Sequence, residues 1–136
     1  KMNNTQDTEA KYAADTFPQF LGIKMEKVAT GYARVSMYLQ ENMLNFHGIG
    51  HGGAIFTLAD TALGLASNSH DRQAVALSVT INYLTPARPG MELTAVAEEE
   101  HLTRRTAIYR IAVTGSNGKS TDKKNIALAQ GTVYRK

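Results

Sequence analysis

The sequence of 136 residues has no cysteine, only three prolines and no long apolar run. The absence of cysteine excludes disulfide bonds, thiolate metal sites and a thiol nucleophile, and it favours a cytoplasmic protein over a secreted one. No stretch approaches the ~20 apolar residues that a membrane-spanning helix needs, and the polar start from Lys1 to Glu9 has no signal-peptide profile. We therefore expect a cytoplasmic protein without a membrane partner.

Charge is unevenly distributed along the chain. Residues 1–100 carry seven basic against eleven acidic residues, a net −4, whereas residues 101–136 carry eight against one, a net +7. Such a basic region either attracts a polyanion, such as a phosphorylated cofactor or nucleic acid, or is a solvated face. Only Tyr109 and Tyr134 are interleaved with these charges, so few rings are available to stack on bases and we expect no nucleic-acid partner. The basic residues are Arg104, Arg105, Arg110, Lys119, Lys123, Lys124, Arg135 and Lys136.

The order of predicted elements indicates the fold class. The length suits one domain, residues 1–136, in which residues 1–20 form an N-terminal helical extension. Because no helices separate the later strands, they should pair as antiparallel neighbours, which predicts an α+β protein with five to six strands curved around one long helix. The predicted elements are a helix at Thr5–Thr16 closed by Phe17-Pro18, strands at Ile23–Ala29 and Tyr32–Leu39 around Thr30-Gly31, a helix at Gly52–Ser69, and strands at Ala74–Leu84, Met91–His101, Arg105–Thr114 and Ile126–Tyr134.

The central helix combines two adjacent glycines with a lone carboxylate. From Gly53 to Ser69 the only charged residue is Asp60, and the helix is apolar nearly all round, so we expect it to be buried. Its first N–H groups, at Gly52 and Gly53, suit an oxygen that becomes negative during acyl transfer, but a tight loop-to-helix turn also needs glycine. His51 is either a donor to that oxygen or a capping residue, and Asp60 is either catalytic or a paired structural carboxylate.

The separation of these groups predicts a shared site. Asp60 follows Gly52 by eight residues, which is about 12 Å along a straight helix and too far for both to act on one carbonyl. Two antiparallel helices related by a two-fold axis bring the Gly52 end of one chain near Asp60 of the other. We therefore predict a homodimer with sites at its interface.

These residues resemble a known family over nearly the whole chain, from Leu21-Gly22-Ile23 to the last strand. The pattern is similar to that of the hot-dog-fold acyl-CoA thioesterases, in particular the phenylacetate-degradation (PaaI-like) branch. The resemblance is most specific in the central helix. It rests on Met43-Leu44-Asn45, His51-Gly52-Gly53, Phe56-x-Leu58-Ala59-Asp60-Thr61-Ala62, Ala66-x-Asn68 and Tyr83-Leu84-x-Pro86.

The resemblance implies a role for each matching residue. The Gly52 N–H polarises the thioester carbonyl, and Asp60 of the facing subunit acts as nucleophile or general base. Asn45 and His51 orient the thioester or water, and Ser78 places a hydroxyl near the water, although Ser78 can also face solvent. The resemblance further implies a dimer with joined sheets, often a dimer of dimers and hence a homotetramer. Substrate or CoA contacts are implied for Gly53, Thr61 and Tyr83, and for Arg104 and Arg105 with the CoA phosphates.

The expected activity is hydrolysis of an aryl- or acyl-CoA thioester to the free acid and CoA. No cofactor or metal is expected, because the four histidines show no ligand spacing. A hot-dog dehydratase or hydratase would use a histidine and a carboxylate, but the central helix contains no histidine. A non-catalytic acyl-CoA-binding domain is the third possibility, and Asp60 and Asn45 argue against it.

Overall fold

Six antiparallel strands form one sheet around a long helix in the computed structural model, which describes residues 4–118 and 122–136. The strand order is β1-β2-β4-β5-β6-β3, and the long helix, α3, contacts all six strands. The predicted α+β arrangement is confirmed, and Lys119 of the basic region lies outside the described residues. The elements are α1 (Asn4–Ala14), α2 (Thr16–Phe20), β1 (Lys24–Ala29), β2 (Tyr32–Tyr38), a 3₁₀ turn (Glu41–Met43), α3 (Gly52–Ser67), β3 (Ala74–Tyr83), β4 (Glu92–Leu102), β5 (Thr106–Ser116) and β6 (Lys123–Arg135).

Strand β2 shows how alternation in the sequence produces the sheet. Its alternate apolar residues and the one that follows it are at most 1% exposed and face α3, whereas the residues between them face outward. Ser36 is buried on the outer face because its hydroxyl donates to the carboxylate of Glu26 on β1. The buried set is Ala33, Val35, Met37 and Leu39.

Helix α3 is buried on most sides but leaves one stripe open, which corrects the expectation of an all-round buried helix. Gly53, Asp60 and Gly64 are exposed and Thr57 is half-buried, at spacings that place all four on one face. On the opposite side the helix lies close to β6, where a Cβ added at Gly131 would come within 2.7 Å of Leu63 Cδ2. The residues of this open stripe are small or polar, so no strand is needed to cover them. In the described ranges, no helix is long and apolar enough to cross a bilayer.

A polar cluster of Tyr109, Glu99 and His70 lies beyond the C-terminal end of α3. The fully buried Tyr109 hydroxyl donates to Glu99 Oε1 at 3.0 Å, and the His70 ring lies 2.6 Å from the same oxygen. Burial, followed by the neighbouring Glu99 charge, raises the pKa of Tyr109 above its ordinary value. Tyr109 therefore stays a neutral donor that holds Glu99 in place.

The N-terminal extension contains two helices rather than one. The Phe17-Pro18 pair was predicted to end helical structure, but it lies inside α2. Pro18 is the third residue of α2, a position where the backbone N–H has no intrahelical acceptor and proline is tolerated. The Tyr12 hydroxyl donates to the Ile23 carbonyl and so ties α1 to the chain that enters β1.

Strand β3 is an exposed edge of the sheet. It pairs with β6 on one side, while its other side has no neighbouring strand among the described residues. Several apolar side chains on or beside it are open to solvent, with Leu77 62% exposed and Val75 43% exposed. An unpaired strand edge with apolar side chains is a ready template for pairing with another chain.

Candidate active site

The start of α3 offers one free backbone donor. His51 is the N-cap residue, and its Nδ1 accepts the Gly53 N–H at 2.9 Å. A neutral His51 therefore carries its ring proton on Nε2. The next two N–H groups, of Ala54 and Ile55, donate to the His51 carbonyl at 3.0 and 3.2 Å. Within the described residues the Gly52 N–H has no acceptor, so His51 is a cap that leaves Gly52 as the available donor at the positive end of the helix.

The loop before α3 brings an amide group to this donor. Asn45 Oδ1 accepts the N–H groups of His47 at 2.9 Å and Ile49 at 3.4 Å, which orients the side chain. Nδ2 of Asn45 has no acceptor in the described part of the chain and remains a potential donor. Asn45, Gly52 and Tyr83 line a cavity of about 310 Å³, here named the Gly52 cavity.

Tyr83 forms the wall of the Gly52 cavity closest to the helix start. Its hydroxyl donates to the Gly52 carbonyl at 3.0 Å, and its ring leaves no free space beside Gly52. A Cβ added at Gly52 would lie 3.3 Å from Tyr83 Cζ, tighter than ordinary van der Waals contact. Glycine at this position therefore lets the ring approach the backbone.

Asp60 lies in a different cavity, between the open stripe of α3 and the N-terminal helices. This Asp60 cavity has a volume of about 260 Å³, and Tyr12, Asp15, Phe17 and Gly64 are among the residues that line it. Desolvation by the surrounding protein atoms raises the pKa of Asp60 above its ordinary value, and the nearby Asp15 charge raises it further. The site thus holds a carboxylate that is more basic than a free aspartate side chain.

The side chain of Thr61, next to Asp60, is hydrogen-bonded to the helix backbone. Its hydroxyl donates to the Thr57 carbonyl at 2.7 Å, and the residue is 8% exposed. The hydroxyl proton is therefore not available to a ligand, although the oxygen still faces the Asp60 cavity.

The two halves of the predicted site do not meet within one chain. Gly52 and Asp60 lie eight residues apart on one helix, about 12 Å along its axis, and they line separate cavities. Gly53, whose N–H is used by His51, lies on the same exposed stripe as Asp60. Gly52 and Asp60 of one chain are therefore too far apart to act on one carbonyl.

Ser78 is not brought to either cavity. A bulge between Ala76 and Ser78 breaks the alternation of β3, so Ala76 pairs with Val133 on the helix side whereas Ser78 pairs with Thr132 on the outer side. Regular alternation along β3 would place Ala76 and Ser78 on one face, and the bulge puts them on opposite faces. The Ser78 side chain consequently points away from α3 and Asp60.

Arg104 and Arg105 lie in the exposed β4–β5 turn, outside both cavities. The segment between α3 and β3 contacts this turn, because Arg72 Nη1 donates to the Arg104 carbonyl at 2.6 Å. Arg105 Nη1 donates to the Tyr134 hydroxyl at 3.2 Å, while the Arg104 guanidinium extends into solvent. No group of three or more metal-ligating side chains occurs in the part of the chain that the structure describes.

Sequence reasoning missed the N-terminal contribution to the Asp60 cavity. Nothing in the local sequence showed that Tyr12, Asp15 and Phe17 lie opposite Asp60. Their positions depend on how α1 and α2 fold back onto α3, a contact across more than 40 residues.

The effect of Asp15 on Asp60 is testable by titration. In Asp15→Asn the pKa of Asp60 should fall, because the like charge that disfavours ionisation is removed. The pKa should nevertheless stay above the ordinary value, because desolvation is the larger cause. Carboxyl ¹³C NMR titration of the two proteins measures both shifts. An Asp60 pKa that is unchanged in Asp15→Asn would contradict the coupling of the two carboxylates.

Comparison with known proteins identifies a family whose match spans the central helix. The model of the family described as the thioesterase superfamily matches residues 47–121, which include Gly52 and Asp60. The acyl-coenzyme A thioesterase PaaI of Escherichia coli K12 is 37% identical over 130 residues, covering 96% of this chain and 89% of the relative. The structure of the E. coli PaaI protein superposes with a TM-score of 0.91 at 36% identity, covering 98% of this chain and 93% of the other. A Streptococcus mutans UA159 protein solved with acetyl CoA bound has a TM-score of 0.76 at 31% identity, covering 84% and 88%.

Proposed function

Because the chain belongs to the thioesterase superfamily and is a thioester hydrolase with the hot-dog fold, we propose that it hydrolyses acyl-CoA thioesters in sites shared by two subunits. One observation carries the proposal. A single helix presents an unpaired N–H at its start and a carboxylate of raised pKa eight residues later, in two separate cavities. The name of the E. coli relative and the acetyl CoA bound to the S. mutans relative support CoA thioesters as substrates.

The Gly52 end of α3 is proposed to hold the carbonyl oxygen of the thioester. As the carbonyl carbon is attacked, this oxygen becomes negative and accepts the Gly52 N–H at the positive end of the helix. The free Asn45 amide is the second proposed donor, and it is already oriented by its two backbone bonds. His51 contributes by capping: it uses the Gly53 N–H and leaves that of Gly52 for the substrate.

Asp60 of the partner subunit is proposed to supply the attacking group. As a general base, it takes a proton from water while the water oxygen bonds to the carbonyl carbon. Collapse of the tetrahedral intermediate breaks the C–S bond, and the proton passes to the CoA thiolate. As a nucleophile, the carboxylate displaces the thiolate to form a mixed anhydride that water hydrolyses. Raising the pKa of Asp60 makes it a stronger base in either route.

The exposed edge of β3 supplies the proposed dimer contact. Antiparallel pairing of two β3 strands across a two-fold axis would join the sheets and cover the apolar side chains on that edge. The same axis sets the two copies of α3 antiparallel, so the Gly52 cavity of one subunit meets the Asp60 cavity of the other. Pairing of two such dimers into a cytoplasmic homotetramer extends this proposal, following the family resemblance.

The remaining site residues receive narrower roles. Tyr83 shapes the site that holds the thioester carbonyl. Gly53 and Thr61 are proposed to contact the substrate without donating hydrogen bonds to it, because the Gly53 N–H and the Thr61 hydroxyl donate within the chain. Arg104 and Arg105 are proposed to contact the CoA phosphates, since the exposed guanidinium of Arg104 is free to form such a pair. Ser78 has no role in this proposal, because it faces the other side of the sheet.

The proposal is tested by an assay of free-thiol release from acyl-CoA together with two variants of Gly52. Gly52→Pro removes the backbone N–H itself at the first helical position, where proline is well tolerated, and the extended His51 backbone suits a following proline. We expect kcat to fall about 10²–10³-fold, the usual cost of losing one oxyanion donor. Gly52→Ala is the matched control, since it adds a Cβ against Tyr83 but keeps the N–H.

The two variants distinguish loss of the Gly52 N–H from crowding of Tyr83. Gly52→Ala should retain far more activity than Gly52→Pro if the N–H is the catalytic donor. Equal loss in both variants would assign the effect to crowding of Tyr83 and contradict the proposed donor. Absence of thiol release by the unaltered protein from every acyl-CoA tested would contradict the proposed function as a whole.

A further inference from the structure

Helix α3 is hydrogen-bonded to the edge strand β3 at both of its ends. At the first residue of α3, the Gly52 carbonyl accepts the hydroxyl of Tyr83, the last residue of β3, at 3.0 Å. At the other end, the side chain of Asn68 bonds the backbone of Ala74, the first residue of β3. We propose that Asn68 is a positioning residue of the shared site, which fixes α3 along the edge strand and thereby places Asp60 opposite the partner subunit's Gly52. This inference rests on the proposed function.

The side chain of Asn68 joins the helix to the strand through three hydrogen bonds. Its Nδ2 donates to the Gly64 carbonyl at 2.9 Å and to the Ala74 carbonyl at 3.0 Å, and its Oδ1 accepts the Ala74 N–H at 3.0 Å. Asn68 is the C-cap residue of α3, with φ −95° and ψ 12°, a conformation that does not require asparagine. The contacts of the amide group, and not the backbone, therefore account for the residue type.

The Asn68 amide also occupies the first pairing position of the β3 edge. In an antiparallel sheet, the N–H and C=O of one residue bond the same neighbouring strand. Both of these groups of Ala74 are bonded by Asn68, so a second chain that pairs with β3 cannot use them. Asn68 thus limits where a partner strand can pair along this edge, which restricts the register of the proposed dimer.

Two-fold symmetry doubles the effect of any slide of α3 along β3. The two copies of α3 run antiparallel in the proposed dimer, so the same slide in both chains moves the helices in opposite directions. Asp60 lies midway between the two contacts with β3, eight residues from Gly52 and eight from Asn68. A slide of about 0.5 Å in each chain would misplace the carboxylate by about 1 Å, and a misplacement of that size can lower a rate about 10²-fold.

Ser69, the next residue, makes a comparable contact with the opposite side of the sheet. Its hydroxyl donates to the Ala66 carbonyl at 2.7 Å and accepts the Gly31 N–H at 2.7 Å. Gly31 lies in the turn between β1 and β2, and β1 is the edge of the sheet farthest from β3. Two successive side chains therefore join the end of α3 to the two sides of the sheet, and only that of Asn68 reaches the edge proposed to form the dimer.

The experiment compares Asn68→Ala with Ser69→Ala, using the acyl-CoA thioester that the unaltered protein hydrolyses fastest. Each substitution removes a side-chain contact between the end of α3 and the sheet, and each leaves a backbone N–H without its acceptor. Asn68→Ala should lower kcat by about 10- to 100-fold and change KM by less than about threefold, because the Gly52 cavity of each chain stays intact. Ser69→Ala should change kcat by less than about threefold, even though Ser69 is fully buried and its loss should lower the melting temperature.

Two further measurements show that the intended contact is lost and that the dimer remains. Amide hydrogen exchange should become faster at Ala74 in Asn68→Ala and at Gly31 in Ser69→Ala, because each N–H loses its acceptor. Light scattering at the assay concentration gives the assembly state of each variant. If Asn68→Ala is too unstable to purify, Asn68→Asp takes its place. Aspartate keeps an acceptor for the Ala74 N–H but turns a carboxylate oxygen toward two carbonyls, so kcat should fall in the same way.

The outcomes separate this inference from the proposed function. An equal fall of kcat in Asn68→Ala and Ser69→Ala, or an unchanged kcat in Asn68→Ala while Ala74 exchanges faster, would overturn the positioning role. A loss of activity in Asn68→Ala that disappears at protein concentrations where the dimer is restored would assign the effect to assembly, and would also overturn it. These results leave the proposed hydrolysis standing, whereas absence of thiol release by the unaltered protein would remove the proposed function and this inference with it.

Discussion

Replacing Asp60 with asparagine is expected to lower kcat for acyl-CoA hydrolysis by at least about 10³-fold while KM changes only a few-fold. Asparagine has the size of aspartate but neither takes up a proton nor attacks as an anion, so the chemical step loses its base or nucleophile. Binding should persist because the Gly52 cavity is unaltered and asparagine, which has the size of aspartate, preserves the shape of the Asp60 cavity. Steady-state thiol release measures the rate, and calorimetry with CoA measures binding.

The stability of Asp60→Asn distinguishes a loss of the chemical step from a folding defect. The folded chain holds the Asp60 proton to higher pH than the unfolded chain, because the pKa of Asp60 is raised in the fold. Between the two pKa values the folded state binds more protons, so this residue's contribution to stability declines as pH rises through that window. Asp60→Asn removes this dependence and should be at least as stable as the unaltered protein at neutral pH. An unchanged kcat in Asp60→Asn would eliminate its proposed role.

Mixing two inactive variants is expected to restore activity. A heterodimer of one Asp60→Asn chain and one Gly52→Pro chain contains one site with Gly52 from the first chain and Asp60 from the second. Its other site carries both substitutions. Random assortment makes half of the dimers mixed, each with one of two sites intact, so about a quarter of the original activity should return.

The complementation experiment requires exchange of subunits. Co-expression with two different affinity tags, followed by sequential purification, isolates the mixed dimer, in which about half of the original specific activity is expected. Each variant purified alone serves as the control. If the mixed dimer is as inactive as both parents, the two groups do not act across the interface, and the shared site is wrong.

The sequence predicted the elements that depend on local periodicity. The pattern of residues 32–39 predicted β2, in which Ala33, Val35 and Met37 are buried, and the apolar run after Gly53 predicted α3. The rise per residue of a helix was enough to predict that Gly52 and Asp60 of one chain are too far apart to act on one carbonyl, and in the structure they line separate cavities. These features follow from spacing within one segment, which is visible without tertiary structure.

Other features depend on contacts between distant segments. The face of Ser78 is determined by a bulge opposite β6, and alternation within β3 alone cannot reveal it. Pro18 was read as a helix terminator because its tolerated place in the first turn of α2 requires knowing where α2 begins. The placement of Asp15 and Phe17 opposite Asp60 likewise requires the path of the chain around α3.

The wall of the Asp60 cavity formed by α1 and α2 comes from a stretch of chain that contains neither Gly52 nor Asp60. Mutations in residues 4–20 can therefore change the shape of the Asp60 cavity without moving the helix that carries both proposed catalytic groups. In evolutionary terms, the segment that lines this cavity and the segment proposed to carry the chemistry are encoded in different parts of the gene. Drift and selection can therefore act on the first segment while the second is inherited intact.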